Sequence, residues 1–404
     1  MPTRSSLAPL VTLLALLALL AGACSTTGKA DASPAPPGNA PELEGEEPGD
    51  DAASGPYFPG EEWETVDAGA AGIDRAALDA IAADAEAGLS NCFLVTRGGR
   101  IVDEWYWQDT DENSTQETFS ASKSFTATLV GMAADEGYLT VEDKASTWIP
   151  EWVGTPSEDI TVEQLLNNTS GRFYDFQTDY VEMAAKASDK TAFAIGLEQE
   201  HDPGTEWVYN NSAIQTLEQV FEGATGQDMA DFADERLFGP LGMQDSSIDR
   251  DRAGNPLTFM GVQSTCRDMA RFGIMALRDG NWDGEQVVSE EWMEASTGES
   301  SQEMNAAYGW LWWLNRPGRI MGGDNATGED GDESAAQVKQ MIEGAPEEMF
   351  FAMGLGGQMI AIDPGTETVV VRMGPATYDD DIEKFERKDI PRVVTEAVVG
   401  DMQD

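Results

Sequence analysis

Apolar positions divide this chain into blocks of different period. Between residues 73 and 87 they recur at helical spacing, which predicts a first helix. Two β-rich runs follow, 93–97 and 100–107, joined by Gly98-Gly99 in the manner of a hairpin. Phe125, Leu129, Met132 and Ala133 return to the helical period and Gly137 closes it, predicting a helix over 126–137 with Ser120 in its first turn. From about 140 to 297 helical patterns dominate. Thr161-Val162-Glu163-Gln164 is a capping box, and helices are predicted at 212–224, 229–237 and 267–278. Strand patterns return at 308–314. They recur at 359–362 and 368–372, on either side of Asp363-Pro364-Gly365-Thr366, and 391–402 reads as a closing helix. Strands at both ends with helices between predict an α+β fold. One antiparallel sheet is built from both ends of the chain and flanked by helices, and a mostly helical subdomain is inserted at about 140–297.

The flanking composition adds an organisation. Arg4 followed by the apolar run 7–21 reads as an export signal over 1–23. The segment Leu19-Leu20-Ala21-Gly22-Ala23-Cys24 resembles a bacterial lipoprotein signal, which would lipidate Cys24 as first mature residue and anchor the protein to a membrane facing the periplasm or exterior. Ordinary cleavage after Ala21-Gly22-Ala23, giving a soluble secreted protein, is the alternative. Residues 24–56 are rich in Pro, Gly, Ser and acid, the composition of a disordered tether, and the folded domain is expected over 57–404. An acidic surface insertion is expected at about 322–348. Cys92 and Cys266 remain once Cys24 is set aside, and outside the cytoplasm they are candidates for a disulfide.

Charge and histidine content exclude several functions. With 74 acidic against 24 basic residues the net charge is −50, which argues against nucleic acid and against anionic membrane except through a lipid on Cys24. His201 is the one histidine and sits in the loop-like Glu200-His201-Asp202-Pro203-Gly204. A Ser-His-Asp triad or a histidine-rich metal site would have to use it, so no metal and no cofactor is expected.

A serine nucleophile here needs another base. Ser120 and Lys123 stand three apart, close enough on a helix for the amine to reach the hydroxyl. One Ser-x-x-Lys is expected by chance in a chain of this length. Tyr209-Asn210-Asn211 supplies a second motif: its asparagines are good helix caps, and a tyrosine beside an ammonium can have its phenol pKa lowered and move protons.

Ser120-x-x-Lys123, Tyr209-x-Asn211 and a Gly-rich turn into a late strand, in that order, resemble the serine β-lactamase and penicillin-binding-protein superfamily. The tyrosine form is similar to its class C β-lactamase branch, which also holds D-alanyl-D-alanine peptidases, family VIII esterases and 6-aminohexanoate-dimer hydrolase. Asn168-Thr169-Ser170-Gly171, the stretch 264–273 and the Trp-rich 308–313 add to the likeness over roughly residues 60–400. The resemblance implies an exported hydrolase of esters or amides acting through a Ser120 acyl-enzyme. Lys123, Tyr209 or both serve as base, Asn211 orients lysine or substrate, and the backbone N–H groups of Ser120 and Gln358 form the oxyanion hole. Tyr174 is a candidate pocket residue, whereas Trp310, Trp312 and Trp313 are expected in sheet and core. The third motif departs from the pattern. Gly354-Leu355-Gly356-Gly357-Gln358 puts Leu355 where Lys-Thr-Gly or His-x-Gly relatives carry a cation, which commonly holds a substrate carboxylate. Gly356 and Gly357 let backbone approach the substrate. A small ester, amide or peptide-like substrate is therefore expected, with a cell-wall D-amino-acid peptidase, a weak β-lactamase or a non-catalytic binding lipoprotein as the other readings.

Overall fold

The computed structural model describes residues 56–322, 339–376 and 385–402. The signal segment, Cys24, nearly all of the tether and most of the acidic insertion lie outside the described residues. The strands are β1 (Cys92–Arg97), β2 (Arg100–Tyr106), β3 (Gln116–Glu117), β4 (Ser247–Ile248), β5 (Val262–Ser264), β6 (Asn281–Trp282), β7 (Glu285–Gln286), β8 (Trp313–Leu314), β9 (Phe350–Gly354), β10 (Gln358–Asp363) and β11 (Thr368–Met373). The longer α-helices are α1 (Arg75–Ala87), α2 (Ser122–Asp135), α3 (Asn211–Thr225), α4 (Cys266–Leu277) and α5 (Glu290–Thr297).

Six strands form the main sheet in the order β2-β1-β11-β10-β9-β8, with each neighbouring pair antiparallel. An early strand thus pairs with the last one, as both ends of the sequence predicted. β1, β10 and β11 are buried at every position, which explains their unbroken apolar runs rather than an alternating pattern. Successive strand residues point to opposite faces. Cys92 turns to α4, forming the disulfide with Cys266, while Phe93 packs edge-on against Phe385. α4 approaches the sheet closely because position 273 is glycine: a Cβ there would stand 2.6 Å from Val369 Cγ1. On α2, Gly131 likewise leaves room for the Trp292 indole of α5.

Several boundaries differ from the sequence expectation. α4 packs on β1, β10 and β11, so it belongs to the sheet layer and the helical insertion ends before β5. The predicted strand over 308–314 is mostly a buried turn, with Leu311 at φ 58°, and only Trp313–Leu314 joins the sheet. Its tryptophans 310, 312 and 313 are core residues, as expected. The closing helix shrinks to one turn, Val393–Ala397, because Val398 leaves with extended backbone. β9 was hidden in the apolar run beside the acidic stretch. Of the insertion, residues 339–348 are anchored at 342–346, where Asn315 Nδ2 donates to the carbonyls of Ile342, Ala345 and Pro346 and Ile342 is buried, while Lys339, Glu343, Glu347 and Glu348 remain on the surface.

The small sheet β3-β5-β4 ties the segment before Ser120 to the one after Phe259. The disulfide closes a sequence separation of 174 residues, and a loop that long removes much chain entropy from the unfolded state. Replacing both Cys92 and Cys266 by serine should lower unfolding free energy by about 4 kcal/mol. Denaturant titration of oxidised wild type beside the double variant checks this, and coincident midpoints would contradict it.

Candidate active site

Ser120 does not begin an α-helix. It lies in a tight 3₁₀ turn, Phe119–Ala121, that runs into α2. The turn opens on Phe119 with φ 48°, a left-handed value that costs a residue with a large side chain. Thr118 N donates to Val262 O at 2.9 Å, and Ser122 Oγ accepts from Val262 N at 3.0 Å, so β5 fixes the turn from one side. Ser120 itself is half-buried, while Ala121, Ser122 and Lys123 are buried.

Lys123 projects from the first turn of α2 into the interior, 1 % exposed. Its Nζ donates to Ser120 Oγ at 3.0 Å, Asn211 Oδ1 at 2.7 Å and Phe259 O at 2.8 Å. Loss of hydration penalises the ammonium and brings the lysine pKa down to about 7, with the Asp179 charge opposing that fall. The neutral amine has two hydrogens and one lone pair. Asn211 Oδ1 and Phe259 O can take the hydrogens, and the lone pair then faces Ser120.

Asn211 is the first residue of α3, placed there by the Asn210 cap, whose side chain accepts from Ala213 N. Its amide is oriented from behind. Asn211 Nδ2 donates to Asp179 Oδ2 at 2.7 Å, which leaves Oδ1 for the lysine. Asp179 is 1 % exposed and also accepts from Ser212 N and Ser212 Oγ, both at 2.7 Å. Burial nevertheless raises its carboxyl above the usual range.

Tyr209 ends the segment leading into α3, and its hydroxyl is hydrogen-bonded to Ser120. The expectation that the lysine would lower its phenol pKa is not met. Burial pushes the phenol well above its ordinary value, and Lys123 Nζ stands over the ring, 4.8 Å from the centroid. The ring is wedged against Trp313 at 5.8 Å and Tyr308 at 6.0 Å between centroids. Tyr174 and Tyr180 lie near enough to act electrostatically on this group: Tyr174 affects Tyr209 and Tyr180, and Tyr180 is hydrogen-bonded to Asn211.

The opposite wall is the turn between β9 and β10. Gly354 meets the nucleophile turn so closely that a Cβ would stand 2.1 Å from Thr118 O. Gly356 and Gly357 have φ 77° and 75°, which side chains would strain. The Gln358 side chain is buried and clips the turn to Gly374, donating to its carbonyl at 2.6 Å and accepting from its N–H at 2.9 Å. Arg372 of β11 supports it from below, donating to Gly356 O and to Ser90 Oγ. Leu355 points outward, 37 % exposed. The structure therefore brings Ser120, Lys123, Tyr209 and Asn211 together, with Tyr174 alongside and the Leu355–Gln358 turn against the nucleophile. His201 pairs with Glu206 at 38 % side-chain exposure, outside this group.

Sequence reading missed Asp179, Tyr180, Phe259, Glu117 and Arg372. Arg372 carried a legible signal, a charge closing the apolar run Val369-Val370-Val371. Phe259 acts through its backbone carbonyl, which no residue type discloses.

The Beta-lactamase family profile matches residues 76–389, most of the chain. The chain belongs to the Beta-lactamase family. It is a serine hydrolase of that family, related to esterases, amidases and penicillin-binding proteins. It is 25 % identical over 315 residues to 6-aminohexanoate-dimer hydrolase of Paenarthrobacter ureafaciens, across 70 % of this chain and 72 % of that one. Penicillin-binding protein 4* of Bacillus subtilis is 31 % identical over 147 residues, 34 % of this chain and 31 % of that protein. Among solved structures, a penicillin-binding protein homologue from Caulobacter crescentus has a TM-score of 0.60 at 16 % identity, over 82 % of this chain and 97 % of that one. A family VIII carboxylesterase has a TM-score of 0.59 at 17 % identity, over 83 % and 98 %. At those identities the two structures show likeness of fold.

If neutral Lys123 is the proton acceptor, phosphonylation of Ser120 by a fluorophosphonate should rise with pH and level off above about 7. A labelling rate flat from about pH 5 to 9 would remove Lys123 from that role.

Proposed function

We propose that this protein hydrolyses neutral esters or amides in two steps through an acyl-enzyme on Ser120. The observation that carries the reading is the lysine environment: a buried amine with its hydrogens taken by Asn211 and Phe259 and its third position on Ser120 Oγ. Ser120 Oγ attacks the carbonyl carbon as Lys123 Nζ takes its proton. The backbone N–H groups of Ser120 and Gln358 receive the developing oxyanion. Tyr209 is too costly to ionise in its buried setting, so it works as a neutral relay: it gives its proton to the leaving group as it takes the Ser120 proton back from Lys123. Water then attacks the acyl carbonyl and gives a proton to Tyr209 as the Tyr209 proton passes to Lys123, and Lys123 returns it to Ser120 Oγ as the ester bond breaks.

Substrate choice follows from Leu355. No side-chain cation stands at that position to hold a free carboxylate, and the net charge of −50 repels anions at long range. This disfavours β-lactams and peptides ending in a carboxylate. Small esters and amides without a free carboxylate fit better. The export signal and Cys24 support placement outside the cytoplasm as a tethered lipoprotein.

Covalent labelling tests the nucleophile. A fluorophosphonate should label the wild type and leave Ser120→Ala unlabelled; labelling that persists in Ser120→Ala would sink the assignment. Lys123→Ala and Tyr209→Phe should each slow hydrolysis of a p-nitrophenyl ester by about 10² or more. Leu355→Lys should raise kcat/KM for an ester bearing a free terminal carboxylate about tenfold relative to its neutral analogue. An unchanged ratio would detach specificity from this position.

A further inference from the structure

Glu117 sits three residues before Ser120, on β3, and its carboxylate is enclosed by donors from three places. Oε1 accepts from Phe119 N at 3.1 Å and from Gly261 N at 2.7 Å. Oε2 accepts from Gln263 Nε2 at 2.9 Å. The first bond holds the left-handed residue that aims the nucleophile turn. The second holds the residue two beyond Phe259, whose carbonyl accepts from Lys123 Nζ. We propose that Glu117 is a positioning residue, a clamp that in its ionised form locks the Ser120 turn to the segment supplying the lysine's acceptor, and that loosens when it is protonated.

The charge strengthens the clamp. Three donors occupy three of the carboxylate's four lone-pair sites, so a proton on the free site of Oε2 displaces none of them but leaves a neutral acceptor, whose bonds are roughly half as strong. Burial raises the Glu117 pKa to about 7, and Asp249 adds to the rise. Asp249 is the charged group facing it from beyond β4, and Gln263 Nε2 bridges the two carboxylates, bonding Asp249 Oδ2 at 2.7 Å. From β5 and the nucleophile turn the carboxylate meets backbone N–H groups and the Gln263 amide. The clamp would thus tighten over the same pH range in which Lys123, also near 7, becomes a base.

This inference rests on Ser120 as nucleophile and Lys123 as base, and the pH profile separates the two claims. Around pH 6, log kcat/KM for a p-nitrophenyl ester should climb with a slope clearly above one in the wild type, one proton from Lys123 plus a loss of up to about tenfold from protonated Glu117, returning to one below about pH 5. In Glu117→Gln the amide oxygen keeps the two backbone legs and loses the Gln263 leg. Its slope should fall to one, with the plateau about tenfold lower. Asp249→Asn, distant from the reacting atoms, removes the like charge and should move the acid limb to lower pH without changing its slope. Thermal unfolding midpoints establish that both variants are folded. A wild-type slope of one retained in Glu117→Gln, or an Asp249→Asn limb that stays in place, would overturn the clamp while leaving the nucleophile intact. Turnover retained in Ser120→Ala would overturn the underlying mechanism instead.

Discussion

The burial of one lysine amine sets the terms for everything around it. An ammonium out of water is costly unless it is paired and hydrogen-bonded. Here the fold supplies two fixed acceptors and a remote carboxylate, Asp179, which reaches the lysine only through Asn211. That is enough to keep the amine in place and too little to hold its proton firmly at neutral pH. A carboxylate in direct contact would stabilise the ammonium and abolish its use as a base. The spacing of Asp179 one amide away is therefore a compromise between folding and chemistry.

The same logic explains the aromatic cage. Trp207, Tyr308 and Trp313 hold the Tyr209 ring, and that ring lies against the lysine amine. They make the phenol a poor acid and so confine it to relaying protons as a neutral group. β9, ending at Gly354, completes the enclosure, and Arg372 and Gln358 make its turn rigid from the sheet side. Rigidity matters because an oxyanion hole acts through dipoles already in position.

What was legible in the sequence divides along a physical line. Helices such as α1, α3 and α4 announced themselves by period and caps, and the strands β1, β2, β10 and β11 by composition. The motif residues Ser120, Lys123, Tyr209 and Asn211 could be read because their chemistry depends on side-chain type and on helical spacing. Contacts made by backbone, such as Phe259 O and Gly261 N, leave no trace in residue type. Asp179 and Glu117 are hidden for another reason: among 74 acidic residues, one that is buried and one that is half-buried look like all the others until tertiary structure takes their carboxylates out of water. The phenol of Tyr209 shows the limit of local inference, since its neighbouring cation was foreseen and its desolvation was not.

The pairing of β1 with β11 has a consequence for how the molecule comes to exist. The reacting groups come from residues near 120, 210, 260 and 356, and the strand that supports the last of them from below is laid beside the first strand of the sheet. Loops of that length close slowly, because entropy must be surrendered before the contacts repay it. The centre is thus among the last parts of the chain to assemble. A partly folded molecule holds its lysine in water with an ordinary proton affinity, so it is chemically silent until the sheet is closed.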